Sequence, residues 1–417
     1  MHPSRISYET PSQKLPRAFN VFWAGQGLSA IGDAMTIVAL PLVVLAETGS
    51  VTQMGRLTAL ARVGGLLATA GAGFVVDRWQ PRRLMLACDV FRWLLMALVP
   101  VGWFFEFRRL WLVFVVGIGA ALAQGIFYVG HVSLIAELVG RARVGLANSR
   151  IEGAIALAYV FGPLIAGLLS AHWGPAPVLG LDSGTFLVSV LALLAMGRGS
   201  TLTPEVLPPP SRTRVGLVGL RFIRKQPELW RLTILVAVAQ FFTAAVVDLF
   251  IFRLKHDLGQ GDTGTGVTFA LASAAAVLAA LSTPRLRARV SFHRLWLAAV
   301  GLQGLVLVAS APSDSFAPMV GTAAVYMAAM TTLMICHASI RQELTPQHLL
   351  GRVTSAYLVL IALPAPLGVL AATALAARFG AACVQAGIGI GLLLTAALAR
   401  AVWARMPKAD VHASPPG

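Results

Sequence analysis

Long apolar runs separated by short polar breaks dominate the chain. Continuous apolar stretches fall at about 19–46, 55–76, 84–106, 110–139, 151–171, 174–196, 229–254, 265–283, 295–311, 317–343, 353–377 and 381–404. The hydrocarbon core of a bilayer is about 30 Å thick and takes roughly 20 apolar helical residues to cross. The pattern therefore predicts twelve membrane-spanning helices. The runs are continuous rather than alternating, which rejects β-barrel strands. The first begins near Phe19 and is too long for a cleaved leader, so it is expected to remain as the first membrane helix.

Composition agrees. Of 417 residues, 57% are hydrophobic and 12% charged, with a mean hydropathy of +0.77. Soluble domains carry about 25% charged residues, so a soluble enzyme or binding module is excluded. Forty glycines suit helices that approach one another closely. The net charge of +16 sits in short clusters between apolar runs, which leaves no basic face for nucleic acid. With the N-terminus in the cytoplasm, 25 Lys and Arg residues fall in inside segments and 6 in outside segments. That asymmetry predicts a multi-pass cell-membrane protein with both termini cytoplasmic. Cys88, Cys336 and Cys383 sit alone in apolar spans without metal-ligand spacing, so packing is their expected role.

The longest polar break, Gly197 to Pro227, contains Pro208-Pro209-Pro210 and much of the basic charge. It predicts a cytoplasmic segment over 1–18, six-helix halves over 19–196 and 229–404, a basic linker over 197–228 and a tail over 405–417. An internal repeat supports the division. A displacement of 206 residues aligns His131 with His337, Ser133 with Ser339, Glu137 with Glu343, Gly162 with Gly368 and Gly174 with Gly380. Sixteen of the 46 positions over 131–176 are identical under this displacement, and paired His, Glu and Gly do not follow from alanine and leucine richness. Repeated halves provide a transporter with two interconvertible openings.

Between spans two and three runs Gly73-Phe-Val-Val-Asp77-Arg78-Trp-Gln-Pro-Arg82-Arg83. It resembles the G-x-x-x-D-R-x-x-R-R signature of the major facilitator superfamily, in the expected loop. The resemblance extends to the twelve spans, the basic linker and the two halves. It implies an all-α membrane protein of two pseudo-symmetric six-helix halves, with Gly73, Asp77, Arg78, Arg82 and Arg83 as a gate motif. Asp77 would pair with arginine and with the positive end of a neighbouring helix when the cytoplasmic side shuts. A plain positive-inside loop is the simpler reading of the arginines alone. The repeat places Thr283 opposite Asp77, so only the first half carries the acid.

In span five, Ala158-Tyr-Val-Phe-Gly162-Pro163-Leu-Ile-Ala-Gly167 is similar to the antiporter motif of drug–proton exchangers, with alanine at two of its glycine positions. Gly162, Pro163 and Gly167 serve close helix packing in either case. Trp23-Ala-Gly-Gln26, Gly32-Asp33, Leu146-Ala-Asn148-Ser149 and Thr345-Pro346 leading to Gly351-Arg352 extend the likeness to macrolide-efflux-like and siderophore-exporter-like proteins.

Ionisable residues at membrane depth are costly and mark function. Asp33 lies near mid-membrane and is the first candidate for proton coupling, with Arg62 as a possible partner; a neutral helix-to-helix hydrogen bond is the bland alternative. Asp89 and Arg92 share one helix face and, with Glu137, Arg150 and Glu152, are assigned to a cytoplasmic gate network. Asp182 and Asp248 either line an outer vestibule or anchor helix ends. Gln26, Gln124, Tyr128, Gln240 and Tyr326 complete the candidate substrate cavity. His131 and His337 are open between packing and proton transfer. No Walker A, HExxH or GxSxG pattern is present, so no ATP hydrolysis, enzyme activity, cofactor or metal is expected.

The sequence thus predicts a secondary transporter working as a monomer. The expected process is proton-coupled export of an amphipathic or hydrophobic organic compound by alternating access. Uptake, or lipid flipping on the same fold, is the alternative, with a membrane-embedded enzyme or receptor further behind.

Overall fold

The structure is a computed structural model and describes residues 15–76, 79–140, 143–196, 212–346 and 349–404. It is all-α among these residues. The first half comprises α1 (Arg17–Thr48), α2 (Val51–Val76), α3 (Pro81–Phe104), α4 (Leu110–Val139), α5 (Val144–Trp173) and α6 (Pro175–Ala195). A linker helix, α7 (Arg212–Lys225), precedes the second half. There the spans are α8 (Pro227–Thr243) continued by α9 (Val246–Phe252), α10 (Asp262–Arg289), α11 (Phe292–Ser310) and α12 (Phe316–Leu344). The last two are α13 (Leu350–Ala362) continued by α14 (Ala365–Phe379), and α15 (Ala381–Ala404). Among the described residues, eleven spans are long and apolar enough to cross a membrane on length and composition. The 26-residue α2, packed along α4, completes the twelve.

Proline at the first position presets the backbone at the starts of α3, α6 and α8. The α13–α14 break falls at Leu363–Pro364, where proline removes a backbone donor. Gly174 and Gly380, aligned by the internal repeat, both adopt positive φ, 79° and 86°, and turn the chain between the last two spans of each half. The repeat thus extends to backbone conformation. Part of the linker is helical, and Gly219 of α7 lets that helix sit directly on the Arg352 backbone of α13. Ile223 of α7 is buried there with Leu229, Val353 and Tyr357.

Chain direction gives the bundle two faces: a terminal face, where α1 begins and α15 ends, and a far face. Near the far face the buried core crosses between the halves. Val51 and Ala59 of α2 join the core of the second half, and Ile251 and Phe269 join that of the first. Two glycines permit the approach. The Gly55 backbone lies against Thr373, and a Cβ on Gly167 would sit 2.8 Å from Gly266 Cα. Toward the terminal face the clusters separate, one confined to the first half and the other to α7 and the second half. The halves are therefore joined at the far face, whereas at the terminal face no buried apolar cluster among the described residues spans both.

Candidate functional site

Helical periodicity assembles a polar cluster inside the first half. Asp33 and Thr36 share a face of α1, Asp89 and Arg92 a face of α3, and Asp182, Thr185 and Ser189 a face of α6. The α6 helix packs against both α1 and α3. Arg92 is 3% exposed and pairs directly with Asp33, whose side chain is 33% exposed. Its second arm lies 3.8 Å from Asp89 Oδ1, and its guanidinium lies 3.8 Å above the Phe186 ring centroid. Ser189 donates to Asp89 Oδ2 at 2.5 Å and accepts from Gln26 Nε2 at 2.7 Å. Thr36 donates to Asp182 Oδ2 at 2.5 Å, and Thr185 donates to Asp182 Oδ1 at 3.2 Å. Gly32 has no side chain to displace that carboxylate.

A second polar group crosses between the halves. The α8–α9 break at Ala244–Ala245 frees a backbone carbonyl, and Arg62 of α2 donates to Ala244 O at 3.1 Å. Thr58, one turn away, donates to Asp248 Oδ1 at 3.5 Å. Asp248 is buried, lies within electrostatic reach of Arg62, and leaves Oδ2 without a hydrogen-bond partner. Thr243 donates to Gln240 Oε1 at 3.3 Å beside the same break. Tyr159 of α5 is 48% exposed and within charge range of both Asp33 and Arg62.

Several expectations change. Asp33 pairs with Arg92, not Arg62, because α6 draws α1 and α3 together while α2 turns toward the second half. Asp89 and Arg92, assigned with Glu137, Arg150 and Glu152 to one network, join Asp33 in the structure. Asp182 is fully buried inside the first half and lines no vestibule here. Asp248 is buried at the seam, and Tyr326 is 2% exposed against Phe250, so neither lines an open cavity. Gln124 is half-buried with Oε1 unpartnered, and Tyr128 is exposed. Glu137, Arg150 and Glu152 form no ion pair with one another among the described residues. Arg150 instead donates to Asn20 and accepts from Trp23 through its backbone. His131 lies against Phe22 and Phe127, and His337 accepts from Trp296 Nε1 at 2.8 Å. Both histidines are packed.

Of the gate motif, Asp77 and Arg78 lie outside the described residues, and Gly73 falls in α2. Arg82 donates to Leu193 O at 2.8 Å and Leu194 O at 3.1 Å, tying the start of α3 to the end of α6. Arg83 is exposed. In the antiporter-like stretch, Gly162 admits Ala34 of α1 and Gly167 meets Gly266 across the seam, with Pro163 buried inside a continuous α5. The terminal face also holds groups the sequence reading passed over. Arg287 of α10 pairs with Glu343 of α12 at 2.6 Å, and Arg341 donates to Thr354 at 3.1 Å. Tyr159 stands in the antiporter-like stretch at a position to which that motif assigns no role. Its seven-residue spacing from Glu152 puts both on one face of α5 and was the available signal.

The family model of the Major Facilitator Superfamily matches residues 22–369. The chain belongs to that superfamily. It is 28% identical over 389 residues to the multidrug efflux pump Tap of Mycolicibacterium fortuitum, covering 88% of this chain and 91% of that protein. It is 23% identical over 241 residues to the enterobactin exporter EntS of Shigella flexneri, covering 55% and 56% of the two chains. The crystal structure of the nucleoside transporter NupG (D323A mutant) superposes with a TM-score of 0.73 at 11% identity, covering 93% of this chain and 100% of that one. The superfamily member described here is a multi-pass membrane transporter and not an enzyme.

Proposed function

We propose that this transporter exports an amphipathic or hydrophobic organic compound in exchange for protons. Asp33 carries the reading. It is a carboxylate deep in the membrane, about 24 Å along α1 from Arg17 at 1.5 Å per residue. It is one-third exposed and held by Arg92 from a neighbouring helix. No packing need explains a partly open acid at this depth. Export is supported by the names of two relatives, an efflux pump that matches 88% of the chain and an exporter that matches 55% of it.

With both termini and the linker over 197–228 in the cytoplasm of the cell, the terminal face is the inner one, and the conformation is open inward. The halves over 19–196 and 229–404 rock about the site in a single chain, and the Gly73–Arg83 run closes the inner side. Substrate enters between the parted halves. A cleft of about 380 Å³ between α1 and α5, lined by Trp23, Gly27, Ile31, Ala154 and Leu157 with Arg150 at its edge, offers an apolar surface there. Proton uptake at Asp33 weakens its hold on Arg92, and the change in charge biases the exchange between inward-open and outward-open forms.

The test is flux in proteoliposomes of the purified chain, using a panel of lipophilic fluorescent dyes. An imposed proton gradient should drive at least one dye against its own gradient. Dye movement that equilibrates identically with and without the gradient would contradict the proposal.

A further inference from the structure

Three carboxylates in the first half share a single guanidinium. Asp33 pairs with Arg92, Asp89 lies 3.8 Å from the same group, and Asp182 is within charge range of both Asp33 and Arg92. Asp89 and Asp182 are fully buried, and Arg92 is 2% exposed. One positive charge cannot balance three negative ones in the water-poor interior of a half, where an unpaired charge is far costlier than a neutral acid. Two buried atoms at the centre, Asp89 Oδ1 and Arg92 Nε, also lack any hydrogen-bond partner, so the cluster is not a closed structural network.

We infer that Asp182 is a second proton-binding residue of this transporter, and that Asp33, Asp89 and Asp182 around Arg92 form one proton store. Asp33 is its mouth, being the one carboxylate of the three open to the space between the halves. Asp182 lies behind it, one α1 turn away through Thr36. The groups facing Asp182 are Asp33 and Thr36 from α1, Arg92 and Asp89 from α3, and Thr185 from α6 itself; α5, also packed on α6, brings no charged side chain to it among the described residues. The store holds more protons than the single one exchanged at Asp33. A proton entering at Asp33 redistributes over the cluster, with the count of bound protons rising by one and Arg92 staying charged. Rocking of the halves leaves α1, α3 and α6 packed together and changes only the side from which Asp33 is reached.

The inference rests on the proton-coupled reading of Asp33, and the test separates the two. The protons bound per chain between pH 9 and pH 5 are counted with a pH-indicator dye on full-length protein in detergent, for the parent, Asp33→Asn and Asp182→Asn. The parent should exceed each variant by about one proton per chain. Infrared difference spectra over the same range supply a second readout, in which the protonated-carboxyl band should lose a component in Asp182→Asn. Should Asp182→Asn fail to fold, judged by gel filtration, that band is followed in Asp89→Asn and should likewise lose a component. If Asp33→Asn lowers the count and Asp182→Asn does not, the second site is overturned and Asp33 stands alone. If neither lowers it, the proton-coupled reading itself fails.

Discussion

Arg62 of α2 donates a hydrogen bond to the backbone carbonyl of Ala244, 3.1 Å away and in the opposite half of the molecule. The carbonyl is available because α8 ends at Thr243 and α9 starts at Val246. This bond and that of Thr58 to Asp248 are polar links across the far-face seam, beside apolar packing and close glycine contacts.

Arg62→Gln should loosen that seam. A net hydrogen bond is worth about 1 kcal/mol, so the far face should open roughly fivefold more often. Maleimide labelling of a cysteine introduced at buried Ala376, in a background without native cysteines, should accelerate accordingly. An unchanged labelling rate would mean that the seam holds without Arg62.

Gly167 is an apolar counterpart of that link. A valine there meets the Gly266 backbone, which cannot move aside as a side chain tip can. Gly167→Val should therefore shift the halves apart at the far face and slow exchange while leaving membrane insertion intact. Spin-label distances between α5 and α10 near the far face should lengthen in the variant.

Arg92 is predicted to be more costly to remove alone than with Asp33. Arg92→Gln strands Asp33 and Asp89 without a cation, a loss of about 3–5 kcal/mol for a buried pair. With Asp33→Asn already present the penalty should shrink by at least 1 kcal/mol, read as a smaller drop in melting temperature in detergent. Additive losses would separate the two residues energetically.

The spans were legible because twenty-residue apolar runs have few alternative explanations. The α13–α14 break was written as Pro364, whereas the α8–α9 break carries neither proline nor glycine at Ala244–Ala245. The acids were legible too, as ionisable residues within apolar spans, but their partners were not. Hydropathy orders helices along the chain and says nothing of which lie side by side. Arg62 is in the adjoining span to Asp33, yet α6, last in its half, brings Arg92 of α3 to Asp33 instead. Burial of Asp182 and Tyr326 has the same origin, since span position sets depth but not facing.

The basic residues favour a cytoplasmic linker and cytoplasmic termini. A cysteine at Ser211 should resist an impermeant maleimide on intact cells, and one at Gly261 should react. Labelling at Ser211 without labelling at Gly261 would invert the topology and make the present form outward-open.

Asp33 is the most direct point of test for the account as a whole. Using a dye shown to be moved by the parent, flux is measured in proteoliposomes with and without an imposed proton gradient for the parent and Asp33→Asn. Asn keeps the size of the protonated acid and cannot lose a proton. The account predicts that the parent responds to the gradient and that Asp33→Asn does not, while its passive dye exchange remains measurable. A gradient response in Asp33→Asn equal to that of the parent would contradict it.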